Sequence, residues 1–265
     1  MLGGTVPEME TARAVAFALP GLAIGSFLTV VAHRVPRRES IVAPRSSCPS
    51  CGTTIRSRDN IPVLSYVLLR GRCRVCGYRI SPFYPLMELA AAGLFVGAAV
   101  TFDRLFVALT MALFLGLLLV LAVIDFRHKI IPNRIVYPSL GIFGALVLAG
   151  SLANQGMSLG SAALGLLAYG GGLLIIALVS PRGMGMGDVK LGALIGLVLG
   201  ALGLRYVAVA AAAAIAAGGL GALVALAMGA GRKHAIPFGP YLAAGAALAT
   251  LWAPQIADAY LQSVR

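Results

Sequence analysis

The chain has 265 residues, 59% of them hydrophobic and only 11% charged, with a mean hydropathy of +0.92. This composition excludes a soluble globular domain, and the lack of ten-residue segments alternating at period two excludes an outer-membrane barrel. A formal charge of +12 would suggest nucleic acid in a soluble protein; here basic loops at a membrane surface account for it, and no nucleic-acid partner is expected.

Apolar runs near twenty residues recur from one end to the other, which makes the fold class an all-α polytopic membrane protein. The runs predict eight spans, at about 14–32, 85–101, 105–124, 135–153, 160–179, 189–203, 206–229 and 240–257. Three regions follow: 1–32 with the first span, a polar loop at 33–84, and a seven-helix membrane region at 85–265. The acidic lead-in Glu8 and Glu10 ahead of the first run, with no small-residue cleavage site, reads as a retained anchor.

Alternating loops place seventeen of the 21 basic residues in loops 33–84, 125–134, 180–190 and 230–239, against Arg13, Arg104, Arg205 and Arg265 on the other side. Basic loops stay in the cytoplasm, so these four loops are expected there and both termini outside.

The first span carries Gly21 and Gly25, a small-residue face for close helix approach. The polar loop then holds Cys48-Pro49-Ser50-Cys51-Gly52 and Cys73-Arg74-Val75-Cys76-Gly77. Paired C-x2-C knuckles converge on one tetrahedral Zn2+, and the glycines permit the tight turns beneath the thiolates. A cytoplasmic loop keeps its thiols reduced, which favours metal over disulfides. Four thiolates leave no open coordination position, so Cys48, Cys51, Cys73 and Cys76 are expected to form a structural site.

Tyr84-Pro85-Leu86-Met87-Glu88 re-enters the membrane. Glu88 sits about one turn inside, as a functional group in contact with substrate or as the partner of an arginine. The third run ends at Asp125, where the charge cluster and Pro132 are expected to stop the helix. Gly170-Gly171-Gly172 gives the fifth span a flexible, close-packing middle. Before the sixth span comes Gly183-Met184-Gly185-Met186-Gly187-Asp188-Val189-Lys190, and within it Gly192, Gly196 and Gly200 form a ridge for a central helix. The seventh is alanine-rich around 210–217, and Ile236-Pro237-Phe238-Gly239-Pro240 makes a rigid turn into the eighth. His33, His128 and His234 read as interface residues.

Asp125 and Asp188 share the cytoplasmic edge of the hydrocarbon. Two carboxylates facing each other there cannot both ionise cheaply and share a proton. One then takes a proton from a water held between them, while the protonated member donates to the carbonyl oxygen. Gly183, Gly185 and Gly187, lacking Cβ, leave room for an extended substrate backbone, with Lys190 beside them. An alternative of another class is a proton- or cation-coupled transporter using the two aspartates as ligands.

The chain resembles the type IV prepilin peptidases, including their relatives in type II secretion and competence systems. The resemblance is carried by Gly25-Ser26-Phe27-Leu28, the two knuckles, Asp59-Asn60-Ile61-Pro62 and Tyr84 to Glu88. It continues in Ile124-Asp125 with Ile131-Pro132, Gly185 to Lys190 of the GxGD type, and Ile236 to Pro240. Thr29, His33 and Asn133 depart from the common pattern without touching the two aspartates. The resemblance implies a bacterial inner-membrane aspartyl endopeptidase with Asp125 and Asp188 as its catalytic pair. Such enzymes cut the leader from prepilins and pseudopilins after glycine, on the cytoplasmic side. Many also methylate the new N-terminus with S-adenosylmethionine, an activity the resemblance links to the cysteine loop. A presenilin-like GxGD protease is disfavoured by the knuckles and the long first loop.

Overall fold

The computed structural model describes residues 6–180, 184–229 and 237–263. Among them the chain is helical, with only isolated bridges in place of strands. The helices are α1 (Val6–Arg34), α2 (Leu64–Leu68), α3 (Phe83–Thr101), α4 (Leu105–His128), α5 (Asn133–Leu152), α6 (Leu159–Gly165), α7 (Gly171–Val179), α8 (Met186–Leu202), α9 (Leu204–Ala227) and α10 (Gly239–Ser263). A π-helical stretch, Leu166–Gly170, joins α6 to α7.

Each of the eight expected spans falls on helix. Among the described residues, six helices are long and apolar enough to cross a membrane: those within Glu10–Arg34, Phe83–Thr101, Leu105–His128, Asn133–Leu152, Leu159–Val179 and Leu204–Ala227. The chain is therefore a multi-pass membrane protein. α8 and α10 fall outside that set. α8 has 17 residues, about 26 Å at 1.5 Å per residue, slightly less than a typical hydrocarbon core.

The chain forms two compact units, divided between Val120 and Leu121 within α4. In the first, α1 lies along α3. A Cβ at Gly21 would stand 2.7 Å from Ala92 Cα, and one at Gly25 2.7 Å from Glu88 Cα, so the two glycines set the closeness of that pair. Arg13 donates to the carbonyls of Phe102 and Asp103, satisfying acceptors just past the end of α3.

In the second unit α8 is central. Leu191, Leu194, Ile195, Val198 and Leu199 are fully buried. Its glycine ridge meets backbone: a Cβ at Gly196 would fall on Gly165, and one at Gly200 would lie 2.7 Å from the Ser161 carbonyl oxygen. The π-helical stretch continues this contact, with Gly170 against Ala193 of α8, while Gly171 and Gly172 have open space around them. α9 and α10 pair in the same manner. Gly245 of α10 backs onto Ala210 and Ala214, both buried, which is the packing the alanine-rich run implied.

Candidate active site

Asp125 does not end its helix, as the charge cluster suggested, but occupies the last turn of α4, which continues to His128. The stop is Lys129, in the left-handed region at φ +54, whose amide donates to the Asp125 carbonyl at 2.7 Å. Pro132, extended at ψ 123, then caps α5.

The Asp125 carboxylate is buried, 5% exposed, and its Oδ2 accepts the Gly239 amide at 3.0 Å. Gly239 is the first residue of α10, where amides have no partner inside the helix. A Cβ there would stand 2.6 Å from Oδ2, so only glycine lets the amide come this close.

Asp188 lies in the first turn of α8, half-buried, with its amide donating to the Gly185 carbonyl at 3.1 Å. A helix start suits a carboxylate because the free amides and the dipole favour negative charge. Gly185 is extended at φ −77 and ψ 145, and a Cβ there would meet little but Asp188 Oδ2 at 3.6 Å. It is exposed. Gly187 is different: a Cβ would sit 3.0 Å from Ile131 Cβ, so close packing accounts for this glycine.

These residues line one cleft of about 320 Å³, formed by Asp125, Lys129, Ile130, Ile131, Asn133, Gly185, Gly187, Asp188 and Lys190. The cleft thus unites both aspartates with two of the three expected glycines and the expected lysine. Gly183, and the start of the Ile236 turn, lie outside the described residues. Lys190 is held at one wall, its Nζ donating to Asn133 Oδ1 at 3.0 Å and lying 4.9 Å over the Tyr137 ring. Gly239, Asn133, Tyr137 and Ile131 were not read from sequence as site residues. The Phe238-Gly239-Pro240 turn was the available signal for the first, but nothing local says its amide meets a residue 114 positions away.

Glu88 does not line the cleft. It is a buried residue of α3 in the first unit, and its Oε2 accepts the Val63 amide at 2.7 Å. Its partner is thus a backbone amide rather than the arginine considered above. Val63 has φ +58 and ψ −50, the rare and strained classic γ-turn conformation, and the bond to Glu88 helps hold it there.

The cysteines are in the first unit. All four Sγ atoms lie within 4.8 Å of one another, and Cys48 and Cys76 are 3.7 Å apart. Tetrahedral bonds of about 2.3 Å to zinc put sulfurs about 3.8 Å apart, so the cluster fits that ion with little adjustment. The two knuckles are copies in backbone terms. Gly52 donates to the Cys48 carbonyl at 2.9 Å and Gly77 to that of Cys73 at 3.0 Å, with φ of +68 and +70 at the glycines. Bridges Ser47–Thr54 and Arg72–Arg79 close the two turns. The Thr53 hydroxyl, 3.4 Å from Cys51 Sγ, and then the Thr53 backbone pull the Cys51 thiol down to about 6, towards the thiolate a metal binds. Arg74 reaches from the second knuckle to Asp59 at 2.6 Å and holds its carboxyl below the usual carboxylate range. The group can hold a metal ion.

Residues 19–102 match the Bacterial Peptidase A24 N-terminal domain, and residues 112–226 match the Type IV leader peptidase family. A prepilin leader peptidase/N-methyltransferase of Bacillus subtilis is 37% identical, over 91% of this chain and 95% of its own length. Proteins of that name from Burkholderia pseudomallei and Pseudomonas aeruginosa are 37% and 36% identical, each over 92% of this chain and over 87% and 92% of their own. No solved structure matches. With both parts of the chain matched and relatives this similar along nearly its whole length, the chain belongs to the type IV leader peptidase family.

Proposed function

We propose that the protein is a membrane-embedded aspartyl endopeptidase that removes the leader from type IV prepilins and pseudopilins and then methylates the new N-terminus. Family membership supports the activity. The observation that carries its placement is a single cleft lined by Asp125 and Asp188, opening beside the exposed, extended Gly185.

In this reading the two carboxylates hold one proton and a water between them. The ionised member takes a proton from the water as its oxygen attacks the scissile carbonyl carbon. The protonated member donates to the carbonyl oxygen, giving a neutral tetrahedral diol. Collapse breaks the C–N bond: the carboxylic acid formed at the first step passes its proton to the departing amine, and the other carboxylate takes a hydroxyl proton from the diol, which becomes the product acid and restores the shared proton. The Gly239 amide fixes Asp125 Oδ2, leaving Oδ1 for the water. Gly185 receives the extended peptide, and Lys190, fixed by Asn133 and Tyr137, lines the wall it passes.

The basic-loop count supports a cytoplasmic side for this cleft, and the resemblance supports the bacterial inner membrane as its location. Zinc in the four-cysteine site serves the loop structurally, since four thiolates close its coordination shell. Methyl transfer from S-adenosylmethionine rests on the relatives' names. Nothing favours the transporter: neither family match nor relative is of that class.

The test is incubation of the reconstituted protein with a prepilin and labelled S-adenosylmethionine, followed by mass spectrometry. Cleavage after glycine with a labelled new N-terminus is expected. An intact prepilin would overturn the peptidase assignment, and cleavage without label would overturn the methylation.

A further inference from the structure

The polar loop does not stand clear of the membrane. Two contacts pin it to the start of α3. The Val63 amide is bound to Glu88, about 7–8 Å along α3 from its first residue, Phe83. Leu64, which follows Val63, opens α2. At its other end, the Ile80 amide donates to the Gly71 carbonyl at 2.8 Å, and Arg72 bridges Arg79. Only Ser81 and Pro82 separate Ile80 from Phe83, at most about 10 Å of chain. Both ends of the 63–71 segment are therefore tethered to the entry of a membrane helix.

The side chains on this segment are sorted. Ser65 is buried: its hydroxyl donates to the Arg58 carbonyl and accepts the Ile61 amide, both at 3.0 Å. Tyr66 lies over Gly71, where a Cβ would stand 2.9 Å from its ring. These two fix which face of α2 turns inward. The other face presents Leu64, Val67 and Leu68, at i, i+3 and i+4, and Leu68 is 71% exposed. Three exposed arginines follow: Arg70 in the turn after α2, and Arg72 and Arg79, which pair in an isolated bridge.

We infer that α2 is an interfacial helix that seats Leu64, Val67 and Leu68 among lipid chains at the membrane surface, while Arg70, Arg72 and Arg79 bind the phosphates of anionic phospholipids. Depth argues for lipid as the occupant, because the face begins at a residue hydrogen-bonded inside a membrane span. Charge argues for an anionic headgroup, because each arginine near a negative surface adds about fivefold to its attraction. The inference rests on the chain crossing the membrane and not on the peptidase reading.

The full-length protein in lipid nanodiscs tests this. Its one tryptophan, Trp252, is replaced by Phe and a reporter introduced as Leu68→Trp. Phosphatidylcholine or phosphatidylglycerol brominated near the headgroup is the quencher. Strong quenching is expected in both lipids and several-fold more in phosphatidylglycerol, and Arg70→Gln with Arg72→Gln and Arg79→Gln should abolish that preference. Amide exchange across residues 64–72 of the unsubstituted protein should slow in phosphatidylglycerol relative to phosphatidylcholine. The difference should vanish near 1 M salt, where screening falls to about 3 Å, so the outcome does not depend on the variants folding. Water-like, unquenched emission in both lipids would overturn the insertion. Equal quenching and equal exchange in the two lipids would overturn the anionic headgroup, and quenching relieved by added prepilin would make α2 a substrate dock instead.

Discussion

The four thiols and the two carboxylates are both gatherings of groups that repel one another once ionised, and the protein builds them differently. The thiols come from a stretch of 29 residues, 48 to 76, held by two backbone turns of one design. Their closeness is a local property that a divalent cation would relieve. The carboxylates come from helices separated by about sixty residues and meet in one cleft, where an amide from α10 fixes Asp125 and Asn133 of α5 holds the neighbouring Lys190. A short-range framework tolerates the loss of a neighbour; a long-range one fails at whichever helix shifts. Perturbing the two clusters in parallel therefore separates global from local dependence.

The largest effect is expected at the aspartates. Asp125→Asn and Asp188→Asn should each lower prepilin cleavage by about 10²- to 10⁴-fold with unchanged elution and thermal midpoint. Near-normal turnover in either would end the two-carboxylate mechanism. Next comes Gly239→Ala, whose Cβ would displace the Asp125 carboxylate; turnover should fall about 10²-fold with substrate affinity nearly constant. A KM effect alone would move Gly239 from the reacting groups to the binding surface.

Gly196→Ala tests the framework away from the chemistry. The added methyl meets Gly165 backbone, which cannot rotate aside, so a loss of about 1–3 kcal/mol should appear in thermal or denaturant unfolding in detergent. Cys73→Ser should drop zinc from about one equivalent to well below half and speed amide exchange at Cys48–Cys51 and Cys76–Tyr78. Cleavage should change only a few-fold, because every residue lining the aspartate cleft lies in the second unit. Smallest is Lys190→Gln, which retains a hydrogen-bond donor for Asn133 but loses the charge over Tyr137. Cleavage should fall several-fold, chiefly through KM.

The legibility of each part follows its range. Helical stretches could be read because an apolar run in lipid must satisfy its own backbone, which leaves a helix as the available form. The knuckles could be read because spacing and glycine placement determine the turn. Gly21, Gly25, Gly196 and Gly200 announced close packing, but not their partners on α3, α6 and the start of the π-helical stretch. The partner of Glu88 could not be read because it is an amide 25 residues back, which leaves no trace in side-chain type. The end of α4 was set too early, since the charges after Ile124 are tolerated in its last turn and the stop comes at the left-handed Lys129.

By itself, then, the sequence determined the membrane class, the helical stretches, the cysteine framework and the identity of the two acids. These depend on hydropathy, spacing and residue type, all properties of neighbours along the chain. The tertiary structure alone decided that Asp125 and Asp188 share a cleft, that Gly239 orients one of them, and that Glu88 anchors the polar loop to α3. Each depends on a backbone group or side chain brought across many residues by packing, and a backbone amide has no letter of its own in the sequence.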